Sequence, residues 1–308
     1  MAVPGGVRRA GRQLTEAALL GRCTFPPAGT AVDCAVSGGA DSLALLLLAV
    51  AAGCRATAVH VDHGLRPGSA AEAHVVATAA QTMGAAFRSE RVTVAPGPNL
   101  EARARAARYI VLPAGVLTGH TADDQAETVL LNLLRGAGLD GLAGMAPAGH
   151  PLLALRRSET HALVATAGLT PVTDPSNADP AFRRNRVRAE LLPLADAIAE
   201  RDVAGVVARQ AGVLRDDATF LDQLAAAVDP TDARALAAAP LPLARRAVRR
   251  WLSEGRGHPP SSAAVERVLA VARGDRRATE TGDGRRVSRS RGTLSLGGWQ
   301  PADGAPRT

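Results

Sequence analysis

Residues 32–43 read Val-Asp-Cys-Ala-Val-Ser-Gly-Gly-Ala-Asp-Ser-Leu. An apolar strand, Ala31 to Val36, stops at Ser37-Gly38-Gly39, and a leucine-rich helix starts at Asp41-Ser42. Two adjacent glycines at a strand-to-helix turn let the backbone fold tightly and aim its N–H groups at an anion. The helix that follows directs its unpaired N–H groups and positive dipole end to the same point. Ser37, Gly38, Gly39, Ala40, Asp41 and Ser42 therefore suit a phosphate chain. Asp41 adds a carboxylate, which repels phosphate unless a cation lies between them, so Mg2+ held by Asp41 is implied. A capped turn is the plainer alternative, because Ser, Asp and Gly serve many turns. The whole string Ser-Gly-Gly-x-Asp-Ser, sited between strand and helix, outweighs it.

Outward from this run, strand and helix alternate through the first half. Asp41 to Ala52 is a helix ending at Gly53, Arg55 to Val61 a strand, and Ser69 to Met83 a helix closed by Gly84. Ala86 to Val94 reads as a third strand, a helix follows from Asn99 to Leu112, and Gly115 to Gly119 is a short fourth strand. Thr121 opens a helix to Arg135, Leu152 to Leu155 is expected as a fifth strand, and Ser158 to Ala167 as a helix. Repeated βαβ units imply an α/β fold, a doubly wound parallel sheet covered by helices on both faces.

A second polar segment leaves this alternation at a strand end: Gly119-His120-Thr121-Ala122-Asp123-Asp124-Gln125-Ala126-Glu127-Thr128. Thr121 and Asp124 fit a capping box, and Asp123 and Asp124 suit the positive helix end. Glu127 shares a face with both acids, and like charges at those spacings repel. A cation would relieve them, either Mg2+ or a substrate ammonium. His120 either positions a phosphate or caps the strand. His60, Asp62 and His63 read as satisfied polar residues at a strand end, because no third soft ligand is near.

Beyond Pro193 the pattern changes to long helices, with a boundary near residue 198. The expected divisions are 1–198 for the α/β domain, 199–300 for a mainly helical basic domain and 301–308 for a disordered tail. Residues 241–291 hold thirteen Arg against five acidic residues, so this stretch carries the chain's whole net charge of +7. A basic module joined to a near-neutral one suits a polyanionic partner. The three cysteines, Cys23, Cys34 and Cys54, have no metal or disulfide spacing. No apolar run reaches the length of a membrane span, so a cytoplasmic protein with no membrane partner is expected. The chain contains no lysine, which excludes a Walker A loop and lysine-based covalent chemistry.

The phosphate turn resembles the PP-loop of ATP pyrophosphatases, which cleave ATP between the α and β phosphates. The longer strings resemble one family within that group, the tRNA(Ile)-lysidine synthetases. They are Ser37 to Ser42, His60 to Arg66, Ala104 to Tyr109, Gly119 to Thr128, Arg135 to Leu142, Asp174 to Asn177 and Arg184-Asn185-Arg186-Val187-Arg188. The C-terminal helices are similar to that family's tRNA-binding region, though more weakly, and the chain ends earlier than longer members.

The resemblance implies adenylation by ATP of the C2 carbonyl oxygen of the wobble cytidine in a tRNA(Ile) with a CAU anticodon. The ε-amine of free L-lysine then attacks C2, expelling AMP and leaving lysidine. It implies that Asp41, Asp124 and Glu127 are catalytic, and that Asp124 and Glu127 hold the lysine ammonium. The PP-loop residues and His120 would bind ATP. Arg184, Arg186 and Arg188, with Arg245, Arg246, Arg249 and Arg250, would reach tRNA or phosphates. Arg183, Arg184, Arg186 and Arg188 cannot all face one way on a helix. The oligomeric state stays open, a homodimer included. The rivals are a tRNA thiolase of the same fold, which would need a suitable Cys pair, an amidotransferase or NAD synthetase, and a non-catalytic RNA-binding module.

Overall fold

The computed structural model describes residues 16–62, 69–92, 103, 107, 110–172, 179–255 and 259–298. His63 to Arg66, most of the helix expected from Asn99, Ala104 to Ala106, Arg108, Tyr109, Asp174 to Asn177 and the tail from residue 301 lie outside them. Two compact units divide between Arg215 and Asp216, a point inside one long helix, Val203–Ala225.

The first unit is built on a four-stranded sheet of β1 (Ala31–Ala35), β2 (Arg55–Asp62), β3 (Ala86–Arg91) and β4 (Leu117–Thr118), in the order β3-β2-β1-β4. Every pairing is parallel, with Cys34 opposite Ala58 on one side and Leu117 on the other. The chain runs outward from β1 to β3 and then returns to place β4 on the free side of β1. Strand order therefore reverses between β1 and β4, where open parallel sheets leave a crevice beyond their carboxyl ends.

The helix after β1, α1 (Ala40–Ala51), is apolar nearly all round, and Leu43, Leu45, Leu46 and Leu48 are fully buried. A helix of that kind needs cover on several sides. The sheet and the helix Arg157–Thr166 supply it, adding Leu163 and Val164 to the same core. Cys34 is a buried member of this core, where burial pushes its thiol up to about 12.

The expected fifth strand is absent. Leu152 to Leu155 form turns, with Leu152 and Leu155 fully buried and the Leu155 carbonyl accepting from Ala122 N–H at 2.8 Å. A four-residue apolar run fits a buried turn as well as a strand, and among the described residues no strand pairs with this one. Strand β3 runs to Arg91 among the described residues, and the last two residues of the expected strand, Thr93 and Val94, lie outside them.

The second unit packs helices Ala233–Ala238, Leu241–Ser253 and Ser262–Arg273 against a three-stranded antiparallel sheet. Its core holds Leu236, Val248, Leu252, Val268, Leu269, Val287 and Leu294. The basic helix Leu241–Ser253 turns Ala244, Ala247, Val248 and Leu252 inward, which leaves its arginines on the opposite face.

Candidate active site

The turn after β1 needs its glycines. Gly38 has φ of 88°, which L residues adopt only under strain, and its carbonyl accepts from Val172 N–H at 2.9 Å. A Cβ on Gly38 would come within 3.0 Å of a Val172 methyl. Gly39 is the N-cap of α1, and no side chain satisfies the first N–H groups of that helix. Ser42 Oγ donates to the Gly39 carbonyl at 2.8 Å, and Ser37 Oγ lies 3.3 Å from Ser42 Oγ. The hydroxyls thus brace the loop, while the helix end keeps its capacity to bind an anion.

The turn after β4 comes against the first. A Cβ on Gly119 would lie 2.5 Å from the Asp41 carbonyl oxygen and 2.9 Å from its carbon. Only a residue without a side chain fits, so the phosphate turn and the start of α2 (Ala122–Leu134) share one crevice. His120 Nδ1 lies 2.7 Å from Thr118 Oγ1, which also lies 2.5 Å from His150 Nδ1. The two rings meet edge to face with centroids 4.9 Å apart. Their hydrogen bonds hold His120 beside the strand end. The sequence reading did not single out His150.

At the start of α2 the Thr121 N–H and hydroxyl both donate to Asp124 Oδ2, at 2.8 and 2.9 Å. Glu127 follows one turn later and is fully buried. The repulsion expected between these carboxylates is relieved within the chain by three guanidinium groups. Arg157 Nη2 lies 2.9 Å from Asp124, its Nη1 3.2 Å from Glu127, and its Nε 3.3 Å from Asp41. Arg184 bonds Glu127 at 2.6 Å and Asp124 at 2.9 Å, and Arg188 bonds Glu127 at 2.7 Å. A bound cation is therefore not needed to hold the acids together in the fold.

Arg157 escaped the sequence reading, and Arg184 and Arg188 were read toward tRNA or phosphates. The available signal was an Arg pair at the start of a helix, which reads equally well as solvated surface. The arrangement depends on Asp123, which accepts from Arg157 N–H at 2.7 Å and forms a two-point pair with Arg156 at 2.8 and 3.0 Å. Arg184 and Arg188 reach one carboxylate because a π-helical turn, Val187–Leu191, packs on α2 through Val187, Leu192 and Ala126. Arg186 points elsewhere and pairs with exposed Glu190 at 2.8 Å.

The carboxyls answer these neighbours differently. Burial pushes the Asp41 carboxyl up, and nearby Asp124 adds to that; a hydrogen bond from Thr160 and the charge of Arg157 pull the other way. Burial opposes ionisation of Asp124 too, but Arg157, Arg184 and the Thr121 N–H outweigh it and hold the group below the usual carboxylate range. Asp123 is likewise held low, its burial overcome by Arg156 and the Arg157 N–H. Elsewhere, His60 is buried with Nδ1 2.9 Å from the Val36 carbonyl. No group of three potential metal ligands occurs among the described residues.

In the second unit, Arg245 pairs with Glu266 at 2.6 Å and Arg246 with Asp222. Arg249 and Arg250 have no carboxylate partner among the described residues, and Arg250 is exposed. No helix among the described residues is long and apolar enough to cross a membrane.

Residues 16–195 match a PP-loop domain, and residues 232–295 match the TilS substrate binding domain. The chain is 46% identical over 264 residues to the tRNA(Ile)-lysidine synthase of Nocardia farcinica, covering 80% of this chain and 83% of that one. Identity to the enzyme of the same name from Thermobifida fusca is 40% over 272 residues, covering 80% and 84%. The fold is similar to that of the U34-tRNA thiolase NcsA from Methanococcus maripaludis, with a TM-score of 0.50 at 15% identity over 65% of this chain and 77% of that one. That likeness carries the fold of the sheet and its helices and nothing about chemistry. The two matched domains and the identity across four fifths of the chain place this protein in the tRNA(Ile)-lysidine synthase family.

Proposed function

We propose that the protein is an ATP-dependent ligase that joins L-lysine to C2 of the wobble cytidine of a tRNA(Ile) with a CAU anticodon, acting in the cytoplasm. The observation that carries this reading is the closure of Gly119 on Asp41, which sets an anion-binding helix end beside a buried acid cluster. A triphosphate fits the first and an amine suits the second.

In the first half-reaction the C2 oxygen of cytosine attacks the α-phosphorus of ATP, and the bond to pyrophosphate breaks. The unpaired N–H groups of the Ser37 to Ser42 segment face the charge that builds up there. His120, fixed through Thr118 one residue before the Gly119 approach, would contact the nucleotide. Asp41 would hold Mg2+. A single partly exposed carboxylate beside the phosphate turn fits a metal that arrives with the triphosphate rather than one caged by protein. Bound there, the metal supplies positive charge to the α-phosphate and the leaving group.

In the second half-reaction the lysine ε-amine forms a bond to C2, AMP leaves with the oxygen, and the amine loses a proton. Asp124 and Glu127 would hold the ammonium before that step, and a carboxylate within reach would accept the proton once the amine is neutral. The tRNA would be gripped through its phosphates, for which Arg249 and Arg250 are available and Arg245 and Arg246 are partly engaged.

A thiolase reading draws no support from the cysteines. Cys34 and Cys54 are buried, and burial pushes the Cys23 thiol up to about 11, whereas sulfur transfer needs an accessible thiolate. The test is mass analysis of the product nucleoside after incubation with tRNA(Ile), ATP and labelled L-lysine. Label recovered in a cytidine derivative, with one AMP and one pyrophosphate per lysine, is the expected result. Pyrophosphate release that ignores lysine would remove the lysine assignment and leave adenylation standing.

A further inference from the structure

Arg157 spans both halves of the site. Its Nε lies 3.3 Å from Asp41, in the first turn of the phosphate-binding helix, while Nη1 and Nη2 lie 3.2 and 2.9 Å from Glu127 and Asp124. Arg184 and Arg188 pair with Glu127 and Asp124 and, among the described residues, make no pair with Asp41. The Arg157 main chain is pinned by its N–H bond to Asp123. Its side chain is 19% exposed and reaches the cluster on a flexible stem.

The charge balance makes this position informative. Asp41, Asp124 and Glu127 face Arg157, Arg184 and Arg188, three carboxylates against three guanidinium groups. An incoming ammonium would meet no uncovered negative charge. A triphosphate seated on the Ser37 to Ser42 turn would place new anionic oxygens beside Asp41, and a guanidinium forms two-point pairs with phosphate as readily as with carboxylate.

We propose that Arg157 is a phosphate ligand for ATP that rests on the amine-site carboxylates until the nucleotide arrives. Its transfer to the triphosphate uncovers Asp124 and Glu127 for the lysine ammonium. ATP and lysine therefore bind with positive coupling, and the coupling is reciprocal. The inference rests on the reading of those two carboxylates as the amine site.

The test is equilibrium dialysis of labelled L-lysine against the full chain, with and without Mg2+ and an ATP analogue carrying a methylene bridge between the α and β phosphorus atoms. In the wild type the analogue should tighten lysine binding by about fivefold or more, the low end for coupled sites. Arg157→Gln without nucleotide should bind lysine tighter than the wild type without nucleotide by a similar factor, and should bind the analogue about fivefold or more weakly. Wild-type lysine affinity that ignores the analogue would overturn the proposal, and this comparison needs no variant. Unchanged analogue affinity in a folded Arg157→Gln would overturn it as well. Lysine bound equally in every arm would overturn the proposal and leave the amine site standing. Lysine bound in no arm would reject the amine site along with it.

Discussion

Gly119 has no room for a side chain because the Asp41 carbonyl oxygen stands 2.5 Å from where its Cβ would be. This approach joins the end of β4 to the start of α1, and backbone atoms cannot rotate out of the way. Gly119→Ala must push the two turns apart. Overpacking of this kind costs about 1–3 kcal/mol, and a misplacement of about 1 Å costs roughly a hundredfold in rate. Pyrophosphate release by the variant should fall about that far while urea denaturation shows a cooperative fold. Activity within threefold of wild type, by the same rough scale, would mean that the crevice does not depend on this approach.

Asp41 is placed beside the phosphate turn and is the residue expected to meet the metal. Asp41→Ala should stop lysine-independent exchange of labelled pyrophosphate into ATP in the presence of tRNA. Full exchange in that variant would discard the metal role.

Glu127 is fully buried and bonded by Arg157, Arg184 and Arg188. Glu127→Gln removes a buried charge that all three share and leaves their positive charges less compensated. Breaking a buried ion pair from one side costs about 3–5 kcal/mol. A urea midpoint that drops accordingly is expected. A loss below about 1 kcal/mol would place the network in the class of solvated surface pairs.

Acid titration of stability should separate two kinds of carboxyl. Asp123 and Asp124 have folded values below the unfolded one, against burial, through Arg156 in the first case and Arg157 with Arg184 in the second. Their stabilisation is present above the unfolded value, about 3.9, and lost as pH falls through the lower folded value. Asp41 has the opposite sign, because burial raises its folded value. Its contribution is present below about 3.9 and lost as pH rises through the raised value. Asp41→Asn should therefore be more stable than wild type near neutral pH, with the gap closing toward pH 4, whereas Asp123→Asn should be less stable near neutrality. Urea midpoints across that range check both signs, and a destabilised Asp41→Asn at neutral pH would contradict the burial argument.

Arg245 and Arg246 already face Glu266 and Asp222, whereas Arg249 and Arg250 face no carboxylate among the described residues. Replacing the second pair with Gln should weaken tRNA binding more than replacing the first. It should also lower the slope of log affinity against log salt by nearly 1 for each phosphate that is no longer neutralised. Equal slopes for the two double variants would count against the helix as the grip on tRNA.

The phosphate turn, the parallel βαβ alternation and the acidic start of α2 were legible in the chain because each is local. A strand-to-helix turn with paired glycines, or three acids on one helical face, is written within ten residues. The turn at Leu152 to Leu155 reads as a strand for the same reason, since a short apolar run does not say whether a partner edge lies beside it. Other features came only from the tertiary structure. Strand order placed β4 beside β1, and that placement brought Gly119 to Asp41. Arg157 reaches Asp41 across 116 residues of chain, and Arg188 reaches Glu127 across 61. No periodicity records such distances. The sequence showed that the acids at the start of α2 required a positive partner, and folding chose guanidinium groups from a distant helix start and a widened turn, because only the packed arrangement decides which charge is near enough to meet them.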